Sequence, residues 1–496
     1  MKLLDQLPAL QVALPMLAGV LVAVLPGARA AWAVATAASA LTFVIGAALT
    51  AAVLDGGTVH DEMGGWAVPY GIGLVIGPFS ALMLLIVTGA STLGLLWGAP
   101  SMRHEIGDEH LPLLYACWLL AVVGLVGIVI SGDAFNIFVF MEISSLASYV
   151  LVSAGSSRRA LTATFKYLVT GTIGATFYLI GVGYLYMMTG TLNIADLQAR
   201  LADVTELAPV MIATGFILAG LGLKAAVFPV HGWMPNAYTH APSAVAVFLA
   251  ACSTKVALFV LIRFDFLVFQ PNLAAHDLMF SAFLVPLCVA AFLIGSTVAI
   301  FEQDLKRLLG YSSVAQIGYI LLGAALLTGS GLTAAMLHMF NHALMKSALF
   351  MAAGCLFLRY GSVKLKDLAG AGWAMPWTTA AFVLAGLSLI GVPLTAGFVS
   401  KWYLVLAAME QGGFGVLLIV LVLFSSLLAV IYIWKVVETA YFRKQNPARE
   451  TPGEAPVPML ASLWLITLAN YWFGIDPSLP LALAGQELPE LLGAGK

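Results

Sequence analysis

Apolar runs long enough to cross a bilayer recur along the whole chain, and they set its fold class. A membrane-crossing helix needs about 20 predominantly apolar residues. Stretches such as LPLLYACWLLAVVGLVGIVI at 111–130 and FLVPLCVAAFLIGSTVAI at 283–300 reach that scale. They stay apolar instead of alternating with polar residues, which excludes a membrane β-barrel. Only 9% of the 496 residues are charged and 61% are hydrophobic, whereas a soluble domain carries about 25% charged residues. A soluble globular enzyme and a disordered chain are both excluded. The net charge of −2 offers nothing to a nucleic acid.

Fourteen spans are expected, at about 8–25, 31–53, 71–98, 111–130, 134–153, 163–189, 208–229, 243–268, 278–300, 311–329, 332–358, 376–408, 413–441 and 457–473. The fold class is an all-α polytopic membrane protein. The first run has one lysine before it and no clear cleavage pattern, so it reads as a retained helix and not as a signal peptide. The longest polar connections are 54–70, 99–110, 190–207, 359–375 and 442–456. None is long enough for an extramembrane catalytic domain, so the chain's work falls inside the bilayer or through partners. Cys117, Cys252, Cys288 and Cys355 all lie in apolar runs without a CxxC pair, which gives no support to a disulfide, zinc or iron–sulfur framework.

Lysine and arginine placement orients the chain. With fourteen spans the termini share a side, which carries Lys2, Arg200, Arg263 and Lys496. The opposite side carries Arg29, Arg103, Arg158, Arg159, Lys166, Lys306, Arg307, Arg359, Lys364, Lys366, Lys435, Arg443, Lys444 and Arg449. This bias puts both termini outside and the 155–162, 301–310 and 442–456 loops in the cytoplasm.

Four basic residues remain: Lys224, Lys255, Lys346 and Lys401. All are lysines and all lie inside expected spans, together with one acid, Glu142. Each such charge costs roughly 2.5–3.5 kcal/mol at a helix centre. Five together cost on the order of 12–18 kcal/mol, as much as a whole domain's stability. Stability therefore does not explain them. Arginine stays charged at any accessible pH, while a desolvated lysine can release its proton. Lysines poised between charged and neutral are proton carriers. The alternative is snorkelling, in which the amine reaches a headgroup from near a helix end; mid-span Lys255 has the least room for it.

His338, His342 and Lys346 recur every four residues, so they form one stripe along a helix. Histidine titrates near neutral pH and suits a relay between lysines. A satisfied core histidine is the alternative. The His338/His342 spacing also allows a metal pair, but no third ligand accompanies it.

Two spans are interrupted. LAGLGLKAAVFPVHGWMPNAYTHAPS contains Pro229, Gly232 and Pro235, and LAGLSLIGVPLTAGFVSKWYL contains Gly391, Pro393 and Gly397. Proline deletes a backbone donor, and in hydrocarbon such a break survives only where protein or water satisfies the freed groups. Each break thus predicts a hydrated cavity beside a lysine, Lys224 in one case and Lys401 in the other. Paired interrupted spans in corresponding halves point to a transporter with internal repeats. Simple proline kinks are the alternative.

At these residues the chain resembles the antiporter-like subunits shared by respiratory complex I, membrane-bound hydrogenases and Mrp-type cation/proton antiporters. The matching stretches are FNIFVFMEISSLASYVL, GLKAAVFPVHGWMPNAYTHAPSAVAVFLAACSTK, EQDLKRLLGYSSVAQIGYI, HMFNHALMKSALF and GVPLTAGFVSKWYL. The D-type branch of the Mrp antiporters and its hydrogenase counterpart are the most similar. The resemblance implies about fourteen helices with two inverted five-helix repeats containing the broken helices. A three-helix segment at 1–110 precedes repeats at 111–268 and 278–441, and a C-terminal helix and tail follow at 457–496. It also implies a proton-transfer path: Glu142 tunes Lys224, Lys255 connects, His338 bridges the halves, and Lys401 lies near the exit. His231, His342 and Lys346 are secondary relay candidates. The implied partners are other membrane subunits of a hetero-oligomeric antiporter or redox complex and the lipid bilayer. Protons move, with sodium or potassium as the cation open to exchange.

No cofactor is expected. The glycine run YGIGLVIG at 70–77 is read inside a span and precedes no phosphate-binding helix, so it is no dinucleotide fingerprint. Haem would need histidines on facing helices, which the sequence does not identify. A non-pumping scaffold could shed the cost of the buried charges, and a carrier of organic solutes would need a polar pocket that is not evident. The chain carries no catalytic centre of its own, whether or not it serves a redox complex.

Overall fold

The computed structural model describes residues 6–270, 276–444 and 453–492. Lys2, Arg449 and Lys496, used in the orientation count, lie outside the described residues. The chain opens with α1 (Leu7–Val24) and α2 (Ala28–Gly56), then an antiparallel hairpin of β1 (Val59–Glu62) and β2 (Gly73–Ile76) with Val59 opposite Ile76. Next come α3 (Pro78–Ile106), α4 (Leu111–Ile130), α5 (Ala134–Ser153) and α6 (Arg158–Thr189). A short surface helix, α7 (Ile194–Leu201), leads to α8 (Leu207–Lys224), α9 (Trp233–His240) and α10 (Ser243–Arg263), which a π-helical turn extends to Phe269. There follow α11 (His276–Phe301), α12 (Leu305–Ala325), α13 (Gly329–Tyr360), the single turn α14 (Ala371–Ala374), α15 (Pro376–Ile390) and α16 (Ala396–Met409). The last three are α17 (Gly412–Phe442), α18 (Val457–Ile475) and α19 (Ser478–Leu491).

Among the described residues, thirteen helices are long and apolar enough to cross a membrane. The broken pair α15 and α16 supplies one more crossing, so the fourteen expected spans are all found as helical segments. The ends follow ordinary capping chemistry. Asp133 and Asp304 accept backbone N–H groups at the starts of α5 and α12, at 2.7 and 3.1 Å. Gly190 and Gly361 close α6 and α13 in the left-handed conformation.

The structure departs from the sequence-based expectation in several places. Residues 71–77 are not the start of the third span; Gly73–Ile76 is a strand and α3 begins at Pro78. Gly71, Gly73 and Gly77 disfavour a helix by about 1 kcal/mol each, and Pro78 pushes Gly77 toward an extended conformation. The seventh span stops at Lys224, five residues before Pro229, and the tenth starts at Leu305, earlier than expected. Lys306, counted as a cytoplasmic loop residue, is buried within α12. Nor is Glu142 the only acid inside a span, because Asp265 is fully buried in the turn that extends α10.

α10 and α12 form the enclosed centre of the bundle, with α13 beside them. α1, α6 and α17 present exposed apolar side chains such as Leu17, Phe165 and Leu423. Small residues let backbones approach, as membrane interfaces require: a Cβ on Gly220 of α8 would stand 2.5 Å from the Gly174 carbonyl of α6. The tightest functional approach is at the second break, where a Cβ on Gly397 would fall 1.8 Å from the Ser388 carbonyl. Gly397→Ala is therefore expected to spread α15 from α16 and cost about 1–3 kcal/mol, the usual range for overpacking. A lowered melting temperature of the purified protein checks this; an unchanged one contradicts the close approach.

Candidate functional site

The first break sets Lys224. α8 ends there because Ala226 turns to a φ of 56° and Pro229 follows. The carbonyls of a helix's last turn lose their partners at such an end, and one of them, on Leu223, accepts the Trp233 indole N–H at 2.9 Å. The Lys224 Nζ lies 3.6 Å from Glu142 Oε1 and donates to Ser145 Oγ at 2.6 Å. Both partners stand on α5. Beside them is a cavity of about 30 Å³, lined by Ser144, Ser145, Ser148, Tyr167, Lys224 and, from α10, Ser253 among others. That is room for about one water molecule with several hydroxyl partners. The Glu142 side chain is 29% exposed, while Oε1, the oxygen facing Lys224, is buried.

The second break sets Lys401. α15 ends at Ile390, Gly391 adopts a left-handed φ of 93°, and α16 starts at Ala396. The Lys401 Nζ donates to the carbonyls of Leu389 at 3.2 Å and Ile390 at 2.8 Å, and to Ser426 Oγ at 3.0 Å. Three donors meet three acceptors, two of them carbonyls freed by the break. A cation at a helix C-terminus also meets the negative end of the helix dipole. The ammonium lies 4.9 Å above the Tyr319 ring.

Between the breaks lie the central groups. Lys255, on α10, is 1% exposed and donates to the Ala250 carbonyl. It is close enough to His338, His342 and Lys346 to interact electrostatically with each. The expected stripe on α13 holds: the His338 and His342 rings stack with centroids 6.1 Å apart. Lys346 is fully buried and donates to the Leu309 carbonyl at 2.9 Å and to Ser312 Oγ. His338 bridges two helices, with Nδ1 2.8 Å from Ser400 Oγ and Nε2 2.9 Å from Gln316 Oε1. The Gln316 oxygen only accepts, so Nε2 carries a proton. Ser400 Oγ is also 3.3 Å from the Gly397 carbonyl. Its hydroxyl can therefore donate to a neutral His338 or, turned toward Gly397, accept from a charged one. With both nitrogens engaged, His338 is not poised for the metal pair that its spacing allowed. Among the described residues, neither ring nitrogen of buried His342 has a hydrogen-bond partner. His231 lies in the first break, stacked on Phe228 and edge-on to Tyr311, with its Nδ1 buried and unpartnered.

Several polar groups of this interior escape a sequence reading. Lys306 donates to Ser243 Oγ at 3.0 Å and lies 5.0 Å over the Phe357 ring, while Glu105 accepts the Ser243 backbone N–H at 3.0 Å and so caps α10. The polar run EQDLKR masked them by reading as a loop. Gln316, Ser400, Ser312 and Ser426 carry no charge to mark them. Together the groups place ammonium groups held by carbonyls and hydroxyls beside buried imidazoles, with the Glu142 carboxylate against Lys224. Such groups can hold and pass protons.

Residues 131–429 match the family described as NADH:quinone oxidoreductase/Mrp antiporter, transmembrane, and the chain belongs to that family. It is an antiporter-like subunit. The N subunit of the NADH-quinone oxidoreductase of Desulforudis audaxviator is 42% identical over 434 residues, 84% of each chain. The D subunit of the Na(+)/H(+) antiporter of Bacillus subtilis is 31% identical over 418 residues, covering 84% of this chain and 82% of that one. In structure, the Mrp complex from a Dietzia species contains a chain that matches with a TM-score of 0.89 at 29% identity, over 100% of this chain and 98% of the other.

If the buried amines are kept for function and cost stability, an apolar replacement of similar length is stabilising. Replacing a buried ion pair with packed apolar groups is often neutral or stabilising by up to about 1–4 kcal/mol in other proteins, and the same desolvation argument applies to a buried ammonium. Lys346→Met is therefore expected to raise the melting temperature of the purified protein. A lower one would show that the amine holds α12 and α13 together.

Proposed function

We propose that this chain is the proton-translocating subunit of a multi-subunit membrane complex, coupled to cation exchange in the manner of an Mrp antiporter. The observation that carries this reading is a group of four of the lysines inside the bundle, Lys224, Lys255, Lys346 and Lys401, of which only Lys224 has a carboxylate within 4 Å among the described residues. The Glu142 carboxylate stabilises the ammonium of Lys224, and separating the two charges frees that proton to move. It then crosses the hydroxyl-lined cavity toward Lys255. Charging Lys255 changes the proton affinity of the histidine and lysine groups around it through Coulomb interaction in a low-dielectric interior. His338, held between Ser400 and Gln316, bridges to Lys401. His342 and Lys346 extend the relay from Lys255, and His231 serves the first break. The two break-and-lysine segments belong to inverted repeats, spans 4–8 and 9–13.

The lysine and arginine bias favours a cell-membrane protein with both termini outside. The partners are further membrane subunits, and the exchanged cation is sodium or potassium. A second reading is favoured by the 42% identity to a quinone oxidoreductase subunit: the same relay would then be driven by redox chemistry in neighbouring subunits. Co-purifying subunits separate the two readings, because iron–sulfur or nickel proteins would mean a redox complex and small membrane subunits alone an antiporter.

Lys255→Ala is expected to abolish proton transport by the assembled complex in vesicles while the subunits still co-purify. Normal transport by that variant would falsify the relay. Glu142→Gln is expected to slow transport without stopping assembly, and a rate equal to that of the unmodified complex would remove the carboxylate from the path.

A further inference from the structure

α16 starts without a cap of its own. The first N–H groups of a helix have no partner within it, and the Thr395 side chain, at the capping position, makes no capping bond. Its hydroxyl turns back to the Val392 carbonyl at 2.7 Å. The Gly397 N–H is taken by Ser388 Oγ of α15 at 3.2 Å. Ser388 in turn donates to Asn470 Oδ1 of α18, also at 3.2 Å. The Asn470 amide has one orientation, because its Nδ2 donates to the Ile466 carbonyl at 2.9 Å, and a carbonyl only accepts. Ser388 and Asn470 are both fully buried. From α13, Asn341 Nδ2 donates to the Ala396 carbonyl at 2.6 Å, so the histidine helix holds the same first turn.

These bonds lead to His338. One turn beyond Gly397 stands Ser400, whose Oγ lies 3.3 Å from the Gly397 carbonyl and 2.8 Å from His338 Nδ1. A cap alone would need only the Ser388 oxygen, and Asn470 adds nothing to it. What Asn470 does is take the Ser388 proton, which leaves a lone pair for the Gly397 N–H. A helical serine otherwise bonds the carbonyl four residues back. That carbonyl, on Leu384, accepts the hydroxyl of Tyr471 at 3.3 Å, the residue next to Asn470. Two neighbouring side chains of α18 thus turn one hydroxyl of α15 toward α16. Burying an asparagine amide is costly unless it is bonded, and a plain packing contact would not need it.

We infer that Ser388 and Asn470 are positioning residues of the proton path, which fix the first turn of α16 and so hold the Ser400 hydroxyl against His338. The inference rests on the relay reading above. It gives α18, which lies outside both expected repeats, a part in proton transfer. Ser400 donates to Nδ1 while His338 is neutral. When Nδ1 carries a proton, the hydroxyl turns to the Gly397 carbonyl and accepts from the ring. The hydroxyl keeps its own proton in both arrangements. Both need Ser400 Oγ, His338 Nδ1 and the Gly397 carbonyl within hydrogen-bond reach at once. The bonds from α15 and α18 maintain that condition.

The test uses the assembled complex in vesicles, with histidine isotopically labelled at its ring nitrogens for magnetic resonance. The His338 Nδ1 resonance is assigned by its loss in His338→Ala, and Ser400→Ala supplies the resonance of an Nδ1 without its serine. Ser388→Ala removes one oxygen and leaves the helix contacts. It is expected to move the resonance toward the Ser400→Ala position and to slow transport on the order of tenfold. Asn470→Leu is expected to do the same. Added to Ser400→Ala, Ser388→Ala is expected to slow transport no further, because changes that act through one group are not additive. Loss of packing alone would slow transport without moving the resonance, and would add to Ser400→Ala. A resonance that stays in place in Ser388→Ala, an unchanged rate, or a full further slowing in the double variant overturns the inference, whatever Asn470→Leu does to assembly. Should Ser400→Ala stop transport outright, the resonance and the Ser388→Ala rate decide. Normal transport in Lys255→Ala overturns the relay reading, and the resonance still tells whether Ser388 and Asn470 hold Ser400 in place.

Discussion

A backbone carbonyl released in hydrocarbon must find a donor inside the protein, and the candidate site depends on how this chain meets that demand. At the second break the donor is Lys401, which takes the Leu389 and Ile390 carbonyls at the end of α15. At the first it is the Trp233 indole, which takes the Leu223 carbonyl. The break and the ammonium support each other. Without the freed carbonyls Lys401 would have one acceptor in place of three, and without the lysine α15 could not end inside the bundle. A feature that looks like damage to a helix is thus the means of solvating a charge.

The same logic governs the centre. A buried cation can be stabilised by a counterion or by dipoles, and this chain relies on dipoles for Lys255, Lys346 and Lys401. Lys255 and Lys346 bond to carbonyls within α10 and α12, and Lys346 adds the Ser312 hydroxyl. Dipoles hold an ammonium less firmly than a carboxylate does and accept its absence at less cost. Glu142, partly exposed on α5, is placed where contact with the rest of a complex can reach it.

Much of the fold was legible because apolar runs of bilayer length need no periodicity to be seen. The broken spans were legible because Pro229 and Pro393 interrupt runs that are otherwise unbroken, and the intramembrane lysines because so few charges occur there at all. The boundaries were less so. Glycine and proline around 71–78 changed a helix into a strand, which apolarity alone does not reveal. Lys306 was hidden by neighbours that read as a loop, and Asp265 by its place at the end of a long span. Gln316, Ser400 and Ser312, which orient His338 and Lys346, are uncharged and common in membrane helices, so nothing in their surroundings marked them.

By itself, the sequence determined that this protein lives in a membrane, about how many apolar helices it has, where two of its spans break, and most of the ammonium groups that are trapped inside. These follow from local composition, which the bilayer reads directly. Tertiary structure alone decided which groups meet. Lys224 and Glu142 come from different helices, His338 reaches 62 residues to Ser400, and Ser296 of α11 meets Ser425 of α17 across 129 residues. A helix apolar on every side has no amphipathic period to say which face will meet which neighbour. Only packing, which matches shape and buried hydrogen bonds across the whole bundle at once, selects the partners.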